Sequence, residues 1–192
     1  YDATCLVPTE RTEDLAQTIS DFIKTDPDLS RIEVFPYFKI SAYDLERAEN
    51  TIIKQIKQIQ QNYFGAISIN LTGGTKIMSI AGMMVAFEMG FKMIYVATEK
   101  NELIHIIPGK PFNKRSPLDV KISIKQYFSA HGIETSLDQS FFNPEKQTPH
   151  PPKEGDNMEQ LVFKQARQSG YFDDVQLGLF IRKEANIDQP MI

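Results

Sequence analysis

With a single cysteine, Cys5, the chain cannot form an internal disulfide, and a lone thiol in an apolar run fits a reducing, cytoplasmic setting. No apolar run is long enough to cross a bilayer and no leader pattern is visible, so no membrane partner is expected. Positive charge is also scarce: 21 Lys and Arg against 25 Asp and Glu leave a net charge of −4. That balance excludes a surface built for indiscriminate capture of long nucleic acid, which rests on many Lys/Arg–phosphate contacts. Any nucleic-acid contact is then confined to a local pocket or channel. Up to Pro108 no His, Cys, Asp and Glu fall at metal-ligand spacing. Neither a Walker A loop nor GxGxxG occurs, so pattern alone implies neither ATP hydrolysis nor NAD binding.

The 192 residues are 41% hydrophobic, enough for one full core and part of a second. Their most informative stretch is Asn70-Leu71-Thr72-Gly73-Gly74-Thr75-Lys76, set between the apolar run Ala66–Ile69 and an amphipathic stretch from Ile77. This order reads as strand, glycine turn, helix. Adjacent glycines let the backbone turn tightly and approach a ligand with no Cβ in the way, while a helix N-terminus presents unpaired N–H groups. A phosphate suits such a turn. Thr72 and Thr75 can add hydroxyl donors and Lys76 a positive charge. A structural β–α turn with an incidental lysine is the alternative.

The same order recurs along the chain. Ala3–Val7 reads as a buried strand ended by Pro8, and Thr9-Glu10-Arg11-Thr12 follows as a polar turn, with Thr12 a candidate cap for a helix burying Leu15, Ile19, Phe22 and Ile23. Ile32–Phe35 is a second strand, and Ser41-Ala42-Tyr43-Asp44 has the form of a capping box opening a helix to about Gln61, with Leu45, Ala48, Ile52, Ile56 and Ile59 inward. After the glycine turn, a helix should bury Ile77, Ile80, Ala81, Met84 and Val85 and end at Gly90. Met83 and Met84 invite a reading as a docking face, but core filling is preferred. Lys92–Ala97 and Leu103–Ile107 read as an antiparallel pair with His105 on the less buried face of an edge strand. Alternating strands and helices indicate an α/β layer with a mostly parallel sheet. Ligands in such layers bind beyond the strands' carboxyl ends, where both polar loops fall.

Past Pro108, Lys114–Pro117 reads as a loop, Val120–Ile124 as a half-exposed strand and Gln126–His131 as a short helix. The prolines of Phe142–Gly155 mark a linker. Asn157–Ala166 is an amphipathic helix stopped by Gly170, and Val175–Ile181 looks like a strand with nothing after it to pack against. The expected organisation is therefore residues 1–141 as one domain, 142–155 as linker and 156–192 as the beginning of a second. Position 1 is Tyr and Gln189–Ile192 ends without a closing element, so truncation is expected at both ends.

Asn70–Met78, preceded by Thr9–Thr12 after an earlier strand, resembles the CRISPR-associated Rossmann fold (CARF) domains of cyclic-oligoadenylate-activated nucleases. It is most similar to the single-CARF branch with a restriction-endonuclease-like domain behind a linker. The resemblance implies a Rossmann-like α/β domain that forms a homodimer and binds a cyclic oligoadenylate, cyclic tetra-adenylate in particular, across its two-fold axis. Thr72, Gly73, Gly74, Thr75 and Lys76 would hold the phosphodiester backbone, Asn70 would orient the loop or a base, and Thr9, Glu10, Arg11 and Thr12 would form a second wall. In the family the loop after the first strand also lines the pocket, and that segment is expected to lie outside this chain. Gly155, Met158 and Glu159 resemble the opening helix of the nuclease domain, where a glutamate sits near a divalent metal, Mn or Mg, that serves cleavage of RNA or DNA. Asp188 is the candidate first acid; no Glu-x-Lys follows it, so the chain alone should lack nuclease activity. A solvated helix glutamate and a loop aspartate are the alternatives at these two positions. The function implied is a type III CRISPR ancillary effector of antiviral defence. A sensor joined to a DNA-binding helix-turn-helix, or a CARF unit that cleaves its own ligand, are the other readings.

Overall fold

The computed structural model describes residues 2–111, 114–136 and 154–183. These fall into two compact units, Tyr1–Gln17 with Arg31–Val120 and Thr18–Ser30 with Lys121–Ile192. Helix α1 (Glu13–Thr25) runs from one into the other.

In the first unit β1 (Ala3–Cys5) pairs in parallel with β2 (Glu33–Phe35). A separate sheet holds β3 (Ser68–Asn70), β4 (Lys92–Ala97), β5 (Glu102–Ile106) and β6 (Lys114–Pro117) in that order. Only β3 and β4 are parallel there; β4–β5 and β5–β6 are antiparallel. The fold is thus mixed α/β and Rossmann-like, with parallel pairing limited to two strand pairs rather than dominating one sheet. The reason lies past β4. A 3-10 turn at Thr98–Lys100 and a left-handed Asn101 reverse the chain into hairpins, where a parallel strand would need a helical crossover.

Residues Lys114–Pro117, expected as a loop, form the outer strand β6. Charged residues and proline hide a strand signal, yet both are tolerated at a sheet edge. His105 therefore lies on an interior strand, its Nε2 3.1 Å from the Ser116 hydroxyl. The strand expected at Val120–Ile124 does not form: Ser123 instead caps α4 (Ile124–Ala130) through a capping box with Gln126.

Helices α2 (Leu45–Asn62) and α3 (Lys76–Met89) pack together around Ile40, Ala48 and Ala81, with Ile52 and Met78 against them. Alanines at the contact let the two axes approach. Gly82 does the same toward the sheet, where an added Cβ would lie 3.2 Å from Ile69 and 3.3 Å from Leu71. Gly90 ends α3 in the left-handed region, as expected, its N–H bonded to the Ala86 carbonyl. Met93 of β4 is fully buried, so truncating it to Ala should cost about 2–5 kcal/mol.

Several side chains expected inside are not. Ile80, Met83, Met84 and Phe87 stand 39–54% exposed on one face of α3, so the preference for core filling by Met83 and Met84 is corrected. Helix α3 is apolar all round, and Ala81, Gly82, Val85 and Ala86 alone supply its fully buried positions. Leu15 of α1 and Leu45 of α2 are likewise exposed, while Ala16, Ser20 and Gln55 are buried.

In the second unit β7 (Ile133–Ser136) pairs antiparallel with β8 (Phe180–Lys183), and α5 spans Glu154–Ser169, longer at both ends than expected. The strand read at Val175–Ile181 is thus shifted to Phe180–Lys183 and does have a partner. Most of the linker read at 142–155, like Asp188, lies outside the described residues.

Candidate functional site

Strand β3 ends at Asn70, and the next five residues turn the chain into α3. As the backbone leaves the sheet, Leu71 N–H still bonds to the Ile94 carbonyl at 2.9 Å, and the Thr72 hydroxyl accepts from Val96 N–H at 2.8 Å. Thr72 thereby replaces the backbone acceptor that the departing strand no longer offers. The Asn70 side chain accepts from Thr72 N–H at 2.9 Å, the Asx turn that bends the loop. Gly74 sits at φ +82°, where a side chain is strained, and an added Cβ would also meet Met78 at 3.1 Å. At Gly73 an added Cβ would meet nothing within 4 Å, so the turn opens onto unfilled space there.

Thr75 is the N-cap of α3. Its hydroxyl accepts from Met78 N–H at 3.3 Å and donates to the Ala42 carbonyl at 2.5 Å, so its one proton is already engaged. The expectation that Thr75 supplies a hydroxyl donor to a ligand meets this competing commitment. Ser79, one turn further on, donates to the Leu71 carbonyl at 3.2 Å and lies 3.5 Å from that of Gly73. The Leu71 and Gly73 carbonyls are therefore engaged from inside. By contrast, the N–H groups of Gly73, Gly74, Thr75, Lys76 and Ile77 find no acceptor among the described residues. Lys76 is exposed at the first position of the helix. Unpaired amides, the positive end of a helix dipole and a lysine ammonium together favour an anion.

The other predicted loop forms a 3-10 turn at Glu10–Thr12 that runs directly into α1, so Thr9 is the capping residue and Thr12 lies inside the turn. Thr9 N–H donates to the Thr12 hydroxyl at 2.9 Å and the two hydroxyls are 3.1 Å apart. Glu10 and Arg11 are exposed. The segment leaving β2 connects the two loops. Its Ile40 N–H donates to the Pro8 carbonyl at 2.8 Å, beside Thr9, while its Ala42 carbonyl takes the Thr75 hydroxyl. Buried Gln55 on α2 clamps the start of that segment, accepting from Phe38 N–H at 2.7 Å and donating to the Pro36 carbonyl at 2.6 Å. Lys39, on the same segment, pairs with Glu13 at 3.0 Å, and the carboxylate raises the lysine's pKa. All ten predicted ligand residues thus lie on two loops joined by residues 36–44. Gln55 and Ser79 carry no sequence signal beyond a polar residue on an otherwise apolar helix face.

Asp44, rather than a box formed with Ser41, caps α2 by accepting from Arg47 N–H at 3.0 Å; the Ser41 hydroxyl accepts from Asp44 N–H at 3.2 Å. Glu159 falls on α5, but its side chain is not among those described, and Asp188 is outside the described residues. Among the described residues no three His, Cys, Asp or Glu side chains could hold a metal ion, and no helix is long and apolar enough to cross a membrane. Cys5 is half-buried with its thiol near the Leu6 and Pro36 carbonyls, and burial pushes its pKa up to about 11.

A Rossmann-like α/β unit with an open, amide-rich turn at a strand's carboxyl end is the class of protein these features define. Within that class, residues 1–127 match the family model of the Card1 CARF domain, and the chain belongs to that family. Solved structures with a similar fold include Can2 from Sulfobacillus thermosulfidooxidans, in complex with cyclic tetra-adenylate. It is 18% identical with a TM-score of 0.57, over 88% of this chain and 43% of that one. Protein VC1899 from Vibrio cholerae is 13% identical with a TM-score of 0.56, over 86% of this chain and 38% of that one. The chain therefore spans less than half the length of either structure. No curated protein sequence matches it.

Proposed function

We propose that this chain is the sensing part of a type III CRISPR effector, and that it binds a cyclic oligoadenylate, cyclic tetra-adenylate first among them. The observation that carries this reading is the run of five unpaired backbone N–H groups from Gly73 to Ile77 in a chain of the CARF family. Can2, of similar fold, holds cyclic tetra-adenylate. Phosphate oxygens accept from these amides, Lys76 adds charge, and Asn70 and Thr72 set the shape of the turn. Thr9, Glu10, Arg11 and Thr12 form the second wall, which residues 36–44 hold in register with the first.

A ring of repeated nucleotides is served by a symmetric site, and a two-fold homodimer supplies one. The exposed stripe of Ile80, Met83, Met84 and Phe87 recurs at helical spacing on the helix that begins at the anion turn, and it suits burial against a second copy. On this reading residues 1–141 make up the sensing domain, 142–155 the linker and 156–192 the start of a nuclease-like domain, with β7 of the first stretch pairing to β8 of the last. A helix followed by the strand β8 suits that assignment better than the consecutive helices of a DNA-reading module. Glu159 and Asp188 would be among the ligands of a divalent metal, which would supply the activated water for cleavage of RNA or DNA, and ligand binding would shift the dimer toward an arrangement in which paired nuclease domains act. Isothermal titration of the chain with cyclic tetra-adenylate and with linear tetra-adenylate tests the sensor. Tight, saturable binding of the ring and weaker binding of the linear form is expected; equal, weak binding of both would defeat it.

A further inference from the structure

Tyr43 stands 81% exposed between two anchored neighbours. On one side the Ala42 carbonyl is tied to Thr75, the cap of the anion turn, at 2.5 Å. On the other, Asp44 caps α2 and its N–H bonds to the Ser41 hydroxyl. The backbone at Tyr43 is therefore fixed from both directions while the ring is left in solvent.

An aromatic residue just before a helix cap ordinarily packs on the fourth helical residue as a hydrophobic staple. Here that residue is Ala48, which is fully buried in the core with Ile40 and Ala81. With Tyr43 still 81% exposed, no staple forms, and the ring has no aromatic or cationic partner among the described residues. Stability within the chain does not account for it. Of the other exposed rings in the first unit, Phe64 precedes β3, at the end of the strand away from the anion turn, and Phe87 belongs to the apolar stripe near the far end of α3; Tyr95, on β4 one residue before the Val96 whose N–H bonds Thr72, also neighbours the turn but is only 44% exposed.

We infer that Tyr43 is a base-stacking residue of the nucleotide site, its ring taking the face of a purine whose phosphate lies on the Gly73–Ile77 amides. This rests on the sensor reading above. A nucleotide carries phosphate and base on opposite sides of one sugar. Tyr43 stands one residue from the carbonyl that anchors the phosphate turn, so a tyrosine side chain is suited to bridge that spacing. Tyrosine has two side-chain torsions and loses little freedom on contact. Stacking on an aromatic ring is available to every base, and a two-ring purine offers more surface than a pyrimidine.

The chain has no tryptophan, so Tyr43→Trp installs a single indole reporter. Titrating that variant with cyclic tetra-adenylate should quench its emission along the same isotherm that calorimetry gives for binding. Tyr43→Ala should weaken the ring about tenfold at an unchanged melting temperature, Tyr43→Phe should bind as the parent does, and the parent should prefer cyclic tetra-adenylate over cyclic tetra-uridylate by more than Tyr43→Ala does. Full-affinity binding by Tyr43→Ala, or an indole emission that stays constant while heat reports binding, would overturn the inference and leave the sensor reading standing. A Tyr43→Ala chain that turns monomeric would overturn it in favour of a subunit contact. A parent chain that takes up no ring defeats the sensor reading itself.

Discussion

Replacing Gly73 and Gly74 by alanine, one at a time, separates what the anion turn needs for folding from what it needs for a ligand. At Gly74 the φ of +82° penalises any side chain, and the new methyl would press on Met78 at 3.1 Å. The left-handed conformation costs an L-residue about 1–2 kcal/mol, which for a chain of this size lowers the melting temperature by roughly 2–8 °C. Gly73 is not in the left-handed region, and its added Cβ meets nothing within 4 Å. Removing unfolded-state freedom there should leave stability unchanged or raise it by up to about 1 kcal/mol. The same methyl would stand where a phosphate must approach the unpaired amides. Loss of that contact is expected to weaken cyclic tetra-adenylate by tenfold or more, equivalent to about 1.4 kcal/mol. Thermal melts monitored by circular dichroism, paired with calorimetric titration, read both quantities. A Gly73→Ala chain that binds the ring with undiminished affinity would refute the assignment of phosphate to this turn.

Thr75→Ala removes both the cap of α3 and the bond to Ala42, and should lower stability by about 1–2 kcal/mol in urea unfolding, with Thr75→Ser restoring most of it. Gln55→Leu leaves Phe38 N–H and the Pro36 carbonyl without their partner in a buried setting, and should cost roughly 2–4 kcal/mol in the same assay. Met84→Glu with Phe87→Glu places charge on the exposed stripe; light scattering should find the double variant monomeric at concentrations where the parent is dimeric, and a parent that is itself monomeric would remove the dimer from the model. The raised pKa of Cys5 means that the folded state holds its thiol proton more tightly than the unfolded state does. Stability should be undiminished below pH 9, fall between pH 9 and 11, and lose that slope in Cys5→Ala.

The glycine turn was legible because its cues are local: an apolar run, two glycines, a capping threonine and a helical period sit within twelve residues. The strand β6 was not, since Lys114, Arg115 and Pro117 look like a loop until the partner strand β5 supplies hydrogen bonds along one edge. Periodicity placed Ile80 and Met84 inside because α3 is apolar on every side, and a uniformly apolar helix carries no mark of which face the rest of the chain will cover. The crossbar of residues 36–44 escaped notice for another reason. Its links to Pro8 and Thr75 use backbone carbonyls, which any residue type provides, so composition encodes nothing of them.

Helix α3 begins at the anion turn, and its 14 residues carry the apolar stripe along one flank. Gly82 seats the rod tightly on Ile69 and Leu71, so it has little room to bend or slide without dragging β3 along. At 1.5 Å per residue the rod is about 21 Å long. A displacement of its first turn would therefore carry β3 along with the stripe of Met83 and Phe87, so the anion turn, the strand and that apolar flank are expected to move as one piece.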